Sequence, residues 1–280
     1  MPAQKPKKTF KLQKASDLED IEFLPTGMPG LDKVIGGFPI KRITEIYGLE
    51  KVGKTTLTLM SLAALTQKKK RVIFIDVENS FNKDRAEELG VNLPYLLIAK
   101  EFILEDVAQL IIDNVENAHA IVLDSLPQLI PRREAEGEFG DANIGIKAKV
   151  INELMRRVTP NLAAGKCALI VINQLRPNLD PYGEKYITPG GYATRYMASL
   201  RLLLKSGAAD RIIRSEKGEK VQVGHRLHVV VKKTKTGPHE GKEVVFDLMY
   251  KTPKPVTEED EDEANAATTK KPAPKQRRKV

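Results

Sequence analysis

Eight consecutive residues, Gly48-Leu49-Glu50-Lys51-Val52-Gly53-Lys54-Thr55, place two glycines, a lysine and a hydroxyl at the spacing G-x-x-x-x-G-K-[ST]. That spacing builds a phosphate cradle. Loop N–H groups and the positive end of a following helix face the phosphates, Lys54 reaches the outer ones, and the Thr55 hydroxyl ligands Mg²⁺. Thr56 completes the stretch. Acids stand where such a cradle needs them. Asp124 closes the apolar run Ile121-Val-Leu-Asp124, the place of an acid that holds Mg²⁺ through its water shell. Asp76 and Glu78 close the other strongly apolar run, and Glu78 is placed to orient an attacking water. Either acid alone reads equally well as a helix cap or a solvated strand end. The order cradle, Glu78, Asp124 along one chain gives them a shared chemistry, with ATP and Mg²⁺ as the expected cofactors.

Chemistry at this spacing requires a strand, a tight loop and a helix in succession. Ile43-Thr-Glu-Ile-Tyr47 supplies an apolar run before the cradle, and the segment from Leu57 to about Gln67 predicts the helix, ended by Lys68-Lys-Lys-Arg71. Val72–Asp76, a continuous apolar run bounded by charges, predicts a parallel strand covered on both faces. The alternation then repeats. Helices are predicted over Asp84–Leu89 and Leu104–Val115, and strands over Tyr95–Ala99 and Ala120–Asp124. A helix from Gly145 to about Leu162 follows, with Pro160 as a kink position and Gly165 as its stop, and then a strand over Ala168–Asn173. This is the pattern of an α/β fold with a mostly parallel, doubly wound sheet. After Ser199 the texture changes: Leu200–Lys205, Lys220–Lys232 and Glu243–Tyr250 read as strands joined by hairpins, antiparallel additions at one edge.

The 280 residues divide into a polar, Lys-rich arm (1–20), one core (21–250) and a tail (251–280) of Pro, small residues, the acidic block Glu258–Glu263 and the basic cluster Lys275–Lys279. A tail of that composition buries too little apolar surface to offset its ordering entropy and is expected to be disordered. The formal charge of +9 splits into +2 on residues 1–20 (five Lys against three acids), +2 on residues 251–280 (eight Lys or Arg against six acids) and +5 on the core. Such an excess is compatible with a polyanionic partner and equally with a solvated face. The basic N-terminus has no apolar stretch behind it, so it does not read as a secretory signal, and no apolar run approaches a membrane span. The single Cys167 lies in an apolar run, where a buried thiol in a reducing, cytoplasmic compartment is expected.

The segments TGMPGLD, EIYGLEKVGKTTLTL, FIDVEN, IVLDSLPQLIP, EAEGEFGD, VINQLR, TPGGYATRYMASLRL and VVKKTK occur in one order from about Leu24 to Tyr250. In these strings the chain resembles the bacterial RecA and archaeal RadA strand-exchange recombinases, most of all bacterial RecA. The resemblance implies a RecA-like core in which Glu78 activates water, Asp124 serves Mg²⁺ and Gln174 senses the γ-phosphate. It implies that Lys233 and Lys235 neutralise phosphates bound by a neighbouring subunit. A first DNA loop would hold Glu134, Gly137, Phe139 and Gly140, with Ile144 just beyond, and a second would run from Leu175 to about Pro189. In the second, Arg176 suits phosphate, Tyr182 suits a base, and Gly190-Gly191 allows close backbone approach. Lys149 and Arg156 match basic positions facing DNA, and Arg195, Tyr196 and Arg201 match the region packed on the next subunit. The implied partners are single-stranded DNA, homologous duplex and further copies of the chain in a helical filament.

The chain departs from the family pattern in places. Arg85 stands for a tyrosine near the adenine and Asn82 for a nearby acid, and residues 1–20 and 251–280 are expected to supply neither the N-terminal docking helix nor the C-terminal globule. An accessory protein that binds single strands without exchanging them, or a hexameric helicase, would share the same core.

Overall fold

A computed structural model describes residue 12 and residues 14–138, 145–178, 180, 182, 184–190, 192–216 and 219–255. In chain order the elements are β1 (Phe23–Leu24), α1 (Pro29–Ile35), β2 (Phe38–Pro39), β3 (Ile43–Gly48), α2 (Lys54–Thr66), β4 (Val72–Asp76), α3 (Lys83–Glu88), β5 (Leu96–Ala99), α4 (Leu104–Asn114) and β6 (Ala120–Asp124). There follow α5 (Arg132–Ala135), α6 (Ile146–Ala164), β7 (Ala168–Gln174), β8 (Arg176–Pro177), β9 (Tyr186–Ile187), α7 (Tyr192–Met197), β10 (Leu200–Lys205), β11 (Arg211–Glu216), β12 (Glu219–Thr234) and β13 (Glu243–Pro255). Helix α6 runs through Pro160, and Gly165 follows its end.

A nine-stranded sheet organises the molecule. Its order is β11-β12-β10-β3-β7-β6-β4-β5, with β13 also paired to β12. From β10 to β5 every neighbouring pair is parallel, while β11 and β13 run antiparallel to β12, and β12 antiparallel to β10. The parallel strands β3, β4 and β6 are buried along their whole length, which is why β4 and β6 are continuous apolar runs up to their terminal aspartates, while β3 also buries Thr44 and Glu45. Alternate residues feed two cores. Val72, Phe74, Val122 and Ile170 join α1 and α2 on one face; Ile73, Ile75, Ile121 and Leu169 join α4 and α6 on the other. Helices on both faces make the sheet doubly wound.

Leu200–Lys205, expected among the antiparallel additions, instead lies inside the parallel sheet. Leu200 stands opposite Thr44 and Leu204 opposite Gly48 of β3. Leu202 and Leu204 fill one core, and the lone charge in the strand's buried stretch, Arg201, is paired internally. β13 continues to Pro255, past the core boundary expected at residue 250, because β12 is long enough to pair with it as far as Val221. Residues 1–11 and 13 of the arm, and the tail after 255, lie outside the described residues.

Candidate functional site

The cradle hangs from the carboxyl end of β3. A Cβ on Gly48 would lie 2.5 Å from the Leu204 carbonyl oxygen, so only glycine lets β10 pair alongside. Lys51 and Gly53 take left-handed φ angles of 58° and 100°, turning the loop onto the start of α2. Lys54 donates to the carbonyls of Leu49 at 2.7 Å and Gly48 at 3.4 Å. Burial lowers its pKa, opposed by the charges of Asp124, Glu78 and Glu50. Its ammonium thus rests on loop carbonyls, partners that phosphate oxygens can replace.

Parallel register brings the other groups to the same end of the sheet. Gly48 stands opposite Gln174, and Asp76 opposite Asp124. Thr55 donates from Oγ1 to Asp124 Oδ2 at 2.7 Å, a bond that joins the first turn of α2 to the tip of β6. Asp124 is 2 % exposed. Burial pushes its carboxyl up to about 6, the Thr55 bond working against that rise, Glu78 adding to it and Lys54 opposing it. A buried carboxylate beside a hydroxyl is a hard oxygen donor set that fits Mg²⁺.

Glu78 Oε1 accepts from Ser125 Oγ at 2.5 Å and from Gln174 Nε2 at 3.0 Å, so Glu78 and Gln174, predicted from segments far apart, are in contact. Asp76, the competing acid at that strand end, is otherwise employed. Its two oxygens accept the N–H groups of Ser80 and Phe81 at 3.0 Å each and hold the loop that presents Glu78. In the same region Asn82 caps α3 by accepting from the Arg85 N–H at 2.8 Å, and Arg85 pairs with Glu88 at 3.2 Å.

The expected DNA-facing residues sit beyond this end and along α6. Glu134 lies on α5, and Glu134 and Gly137 are exposed, whereas Phe139, Gly140, Ile144 and Gly191 fall outside the described residues. Lys149 and Arg156 are exposed two helical turns apart on α6 and therefore share a face. Arg176 opens the ladder β8–β9 opposite Ile187, Tyr182 is 97 % exposed, and Gly190 packs on Ile151 and Leu126.

Lys233 and Lys235 lie toward the opposite end of the sheet. Lys233 stands opposite Arg201, which stands opposite Glu45 of β3, three residues before Gly48. That puts Lys233 about 10 Å from Gly48 along the strands and about 10 Å across them. Its ammonium donates to the carbonyls of Arg195 at 2.7 Å and Tyr196 at 2.9 Å, and Lys235 to Tyr196 at 3.3 Å. Burial lowers the Lys233 pKa, helped by Lys235 and Arg201. Arg195 is exposed with Glu184 at 3.7 Å, and Tyr196 is 67 % exposed against Tyr192. Arg201, expected on the same surface, is turned inward onto Glu45 and over the Tyr47 ring because a charge on a central strand must be paired.

Sequence reasoning missed several neighbours of the site. Ser125 and Asn173 adjoin predicted residues, so their adjacency was a usable signal. Glu45 was legible only as one acid within an apolar strand. Tyr250 and His225, bonded at 2.9 Å, bring His225 Nε2 to 3.6 Å from where a Gly53 Cβ would stand; nothing local in β12 or β13 announces that contact with the cradle.

Residues 6–253 match the RecA N-terminal domain family. The protein RecA of Streptomyces ambofaciens is 36% identical over 238 residues, covering 83% of this chain and 62% of the relative, and that of Streptomyces coelicolor matches to the same extent. The protein RecA of Colwellia psychrerythraea is 37% identical over 237 residues, covering 82% of this chain and 66% of the relative. The chain therefore spans less than two thirds of the length of these relatives. With a phosphate cradle, two placed acids and a doubly wound sheet matched over nearly the whole described length, the chain belongs to the RecA N-terminal domain family.

Proposed function

We propose that the protein is a DNA-dependent ATPase of homologous recombination that assembles on single-stranded DNA and pairs it with homologous duplex. The observation that carries this reading is the separation of the cradle from Lys233 and Lys235. Each subunit displays a phosphate site at one end of its sheet and two lysines, out of reach of that site, toward the other. A head-to-tail contact would set one subunit's lysines on the next subunit's phosphates, and a repeated heterologous contact of that kind grows into an open helix. ATP then acts as subunit adhesive, and the lysines act as an arginine finger does, supplying charge to the transferring phosphoryl group.

Within one subunit the roles divide by position. Lys54 leaves the loop carbonyls for phosphate oxygens. Thr55 and Asp124 would hold Mg²⁺, which when bound would neutralise phosphate charge. Glu78 takes the proton of the attacking water, with Ser125 and Gln174 holding its carboxylate in place. A γ-phosphate competes for the Gln174 amide, and Gln174 begins the segment leading into the second DNA loop. Arg176, Tyr182, Lys149 and Arg156 would meet the strand.

Negative-stain imaging with and without single-stranded DNA and a non-hydrolysable ATP analogue, run beside a joint-molecule assay, tests the reading. Long filaments that need both ligands, together with joint molecules, are the expected result. Intact protein that binds ATP but gives only short, DNA-independent oligomers and no joint molecules would overturn it in favour of an accessory role, and rings that unwind duplex would favour a helicase.

A further inference from the structure

Glu45 sits within central strand β3 with its side chain wholly buried. Its Oε2 accepts from Arg201 Nε at 2.5 Å and its Oε1 from Asn173 Nδ2 at 2.8 Å. The Arg201 guanidinium lies 4.5 Å from the Tyr47 ring centroid. A buried ion pair is a poor way to stabilise a sheet, since removing both ions from water offsets their attraction and apolar residues of similar volume serve as well or better. The pair is therefore better explained by what it positions.

Asn173 is the group positioned. Its Nδ2 donates to Glu45 and, at 3.1 Å, to the carbonyl of Pro189, while its Oδ1 accepts the Gln174 N–H at 2.9 Å. The partners fix the amide's orientation, because only the NH₂ can satisfy a carboxylate and a carbonyl, and only the oxygen can accept from N–H. One side chain thus grips both Gln174, the residue just before the segment proposed to meet DNA, and Pro189 at that segment's far end. Gln174 in turn reaches Glu78. On the other flank Arg201 is the ladder partner of Lys233.

We infer that Glu45, held by Arg201, is a positioning residue that fixes Asn173 as a clamp joining Gln174 to Pro189, so that displacement of Gln174 by nucleotide is passed through Asn173 to Pro189. The inference rests on the reading of Gln174 as the nucleotide-sensing residue. It assigns a coupling role to a charge that the active site never touches.

Hydrogen exchange of peptides spanning 174–189, in the full chain with Mg²⁺ and with or without a non-hydrolysable ATP analogue, tests it. In the unmodified protein the nucleotide should slow exchange about tenfold or more. Glu45→Leu/Arg201→Met fills the space with apolar groups but removes the Asn173 acceptor; it should fold and bind the analogue while its segment exchanges alike with and without nucleotide. Glu45→Gln/Arg201→Met keeps an acceptor and should restore the response. Asn173→Ala, which leaves the ion pair in place, should lose the response even if the Leu/Met pair fails to fold. A normal response in Glu45→Leu/Arg201→Met or Asn173→Ala, no rescue in folded Glu45→Gln/Arg201→Met, or no response in the unmodified protein would overturn the inference. Joint-molecule formation, read separately, distinguishes its failure from that of the recombinase reading. A responsive segment without strand pairing sinks only the latter, and pairing without the response sinks only the clamp.

Discussion

Replacing Asp124 by Asn in nucleotide-free, Mg²⁺-free protein should stabilise the fold while abolishing ATP turnover. Burial, chiefly, lifts the Asp124 carboxyl from an ordinary value near 3.8 to about 6. The difference corresponds to about 3 kcal/mol lost at neutral pH by ionising the group in place. The sign follows from proton binding. Between pH 3.8 and 6 the folded state holds more protons at this site than the unfolded state, so the site's contribution to stability falls as pH rises through that window and stays low above it. Asn carries no charge at any pH and keeps an oxygen for the Thr55 hydroxyl. Urea unfolding at pH 8 should therefore show Asp124→Asn more stable by about 1–3 kcal/mol, the lower figure allowing for its extra amide donor. At pH 5 the unmodified protein recovers on the order of 1 kcal/mol, so the gap should narrow correspondingly. A variant less stable than the parent at pH 8, or a gap that does not change between the two pH values, would refute the view of Asp124 as a buried charge that Thr55 and Lys54 only partly offset.

Further outcomes follow from the same geometry. Glu78→Gln should keep ATP binding, lower turnover by about 10²–10⁴-fold and lengthen the life of DNA-bound assemblies; turnover near the parental rate would remove Glu78 as the base. His228 bridges Glu243 Oε1 at 2.5 Å and Asp210 Oδ1 at 3.1 Å. Burial lowers its pKa, but those bonds together outweigh burial and raise it above 6.5. The stabilisation is thus complete below the ordinary imidazole value and is lost as pH rises through the raised one. His228→Asn should cost more stability at pH 6 than at pH 9, and an equal cost at both would contradict the bridge. Cys167, its thiol pushed by burial up to about 12, should resist a disulfide reagent at pH 8 in the native protein and react promptly in urea; fast native reaction would show that the core opens there.

Much of the candidate site could be read from the chain because its residues sit at strand ends that announce themselves. The cradle spacing, and the acids closing Val72–Asp76 and Ala120–Asp124, are short-range patterns, and the structure places Glu78, Asp124 and Gln174 around Thr55 and Lys54. What stayed hidden depends on pairing between distant strands. Leu200–Lys205 looked like a hairpin strand because the segments after it are antiparallel; its parallel partner, β3, lies some 150 residues earlier and leaves no local trace. Arg201 was placed on a surface by resemblance, yet the register that sets it opposite Glu45 buries it. The Asn173 clamp and the approach of His225 to Gly53 are likewise products of register, not of composition.

The central claim is that the nucleotide site is completed in trans, and subunit mixing tests it most directly. Lys54→Ala disables the cradle, and Lys233→Ala/Lys235→Ala disables the donated lysines; each variant alone should hydrolyse ATP on single-stranded DNA at no more than a few per cent of the parental rate. Mixed in equal parts, random assembly leaves about one quarter of the interfaces with an intact cradle facing intact lysines. Turnover should recover to about one quarter of the parental rate. A mixture that stays at the level of the separate variants, while still co-assembling on DNA, would contradict the account.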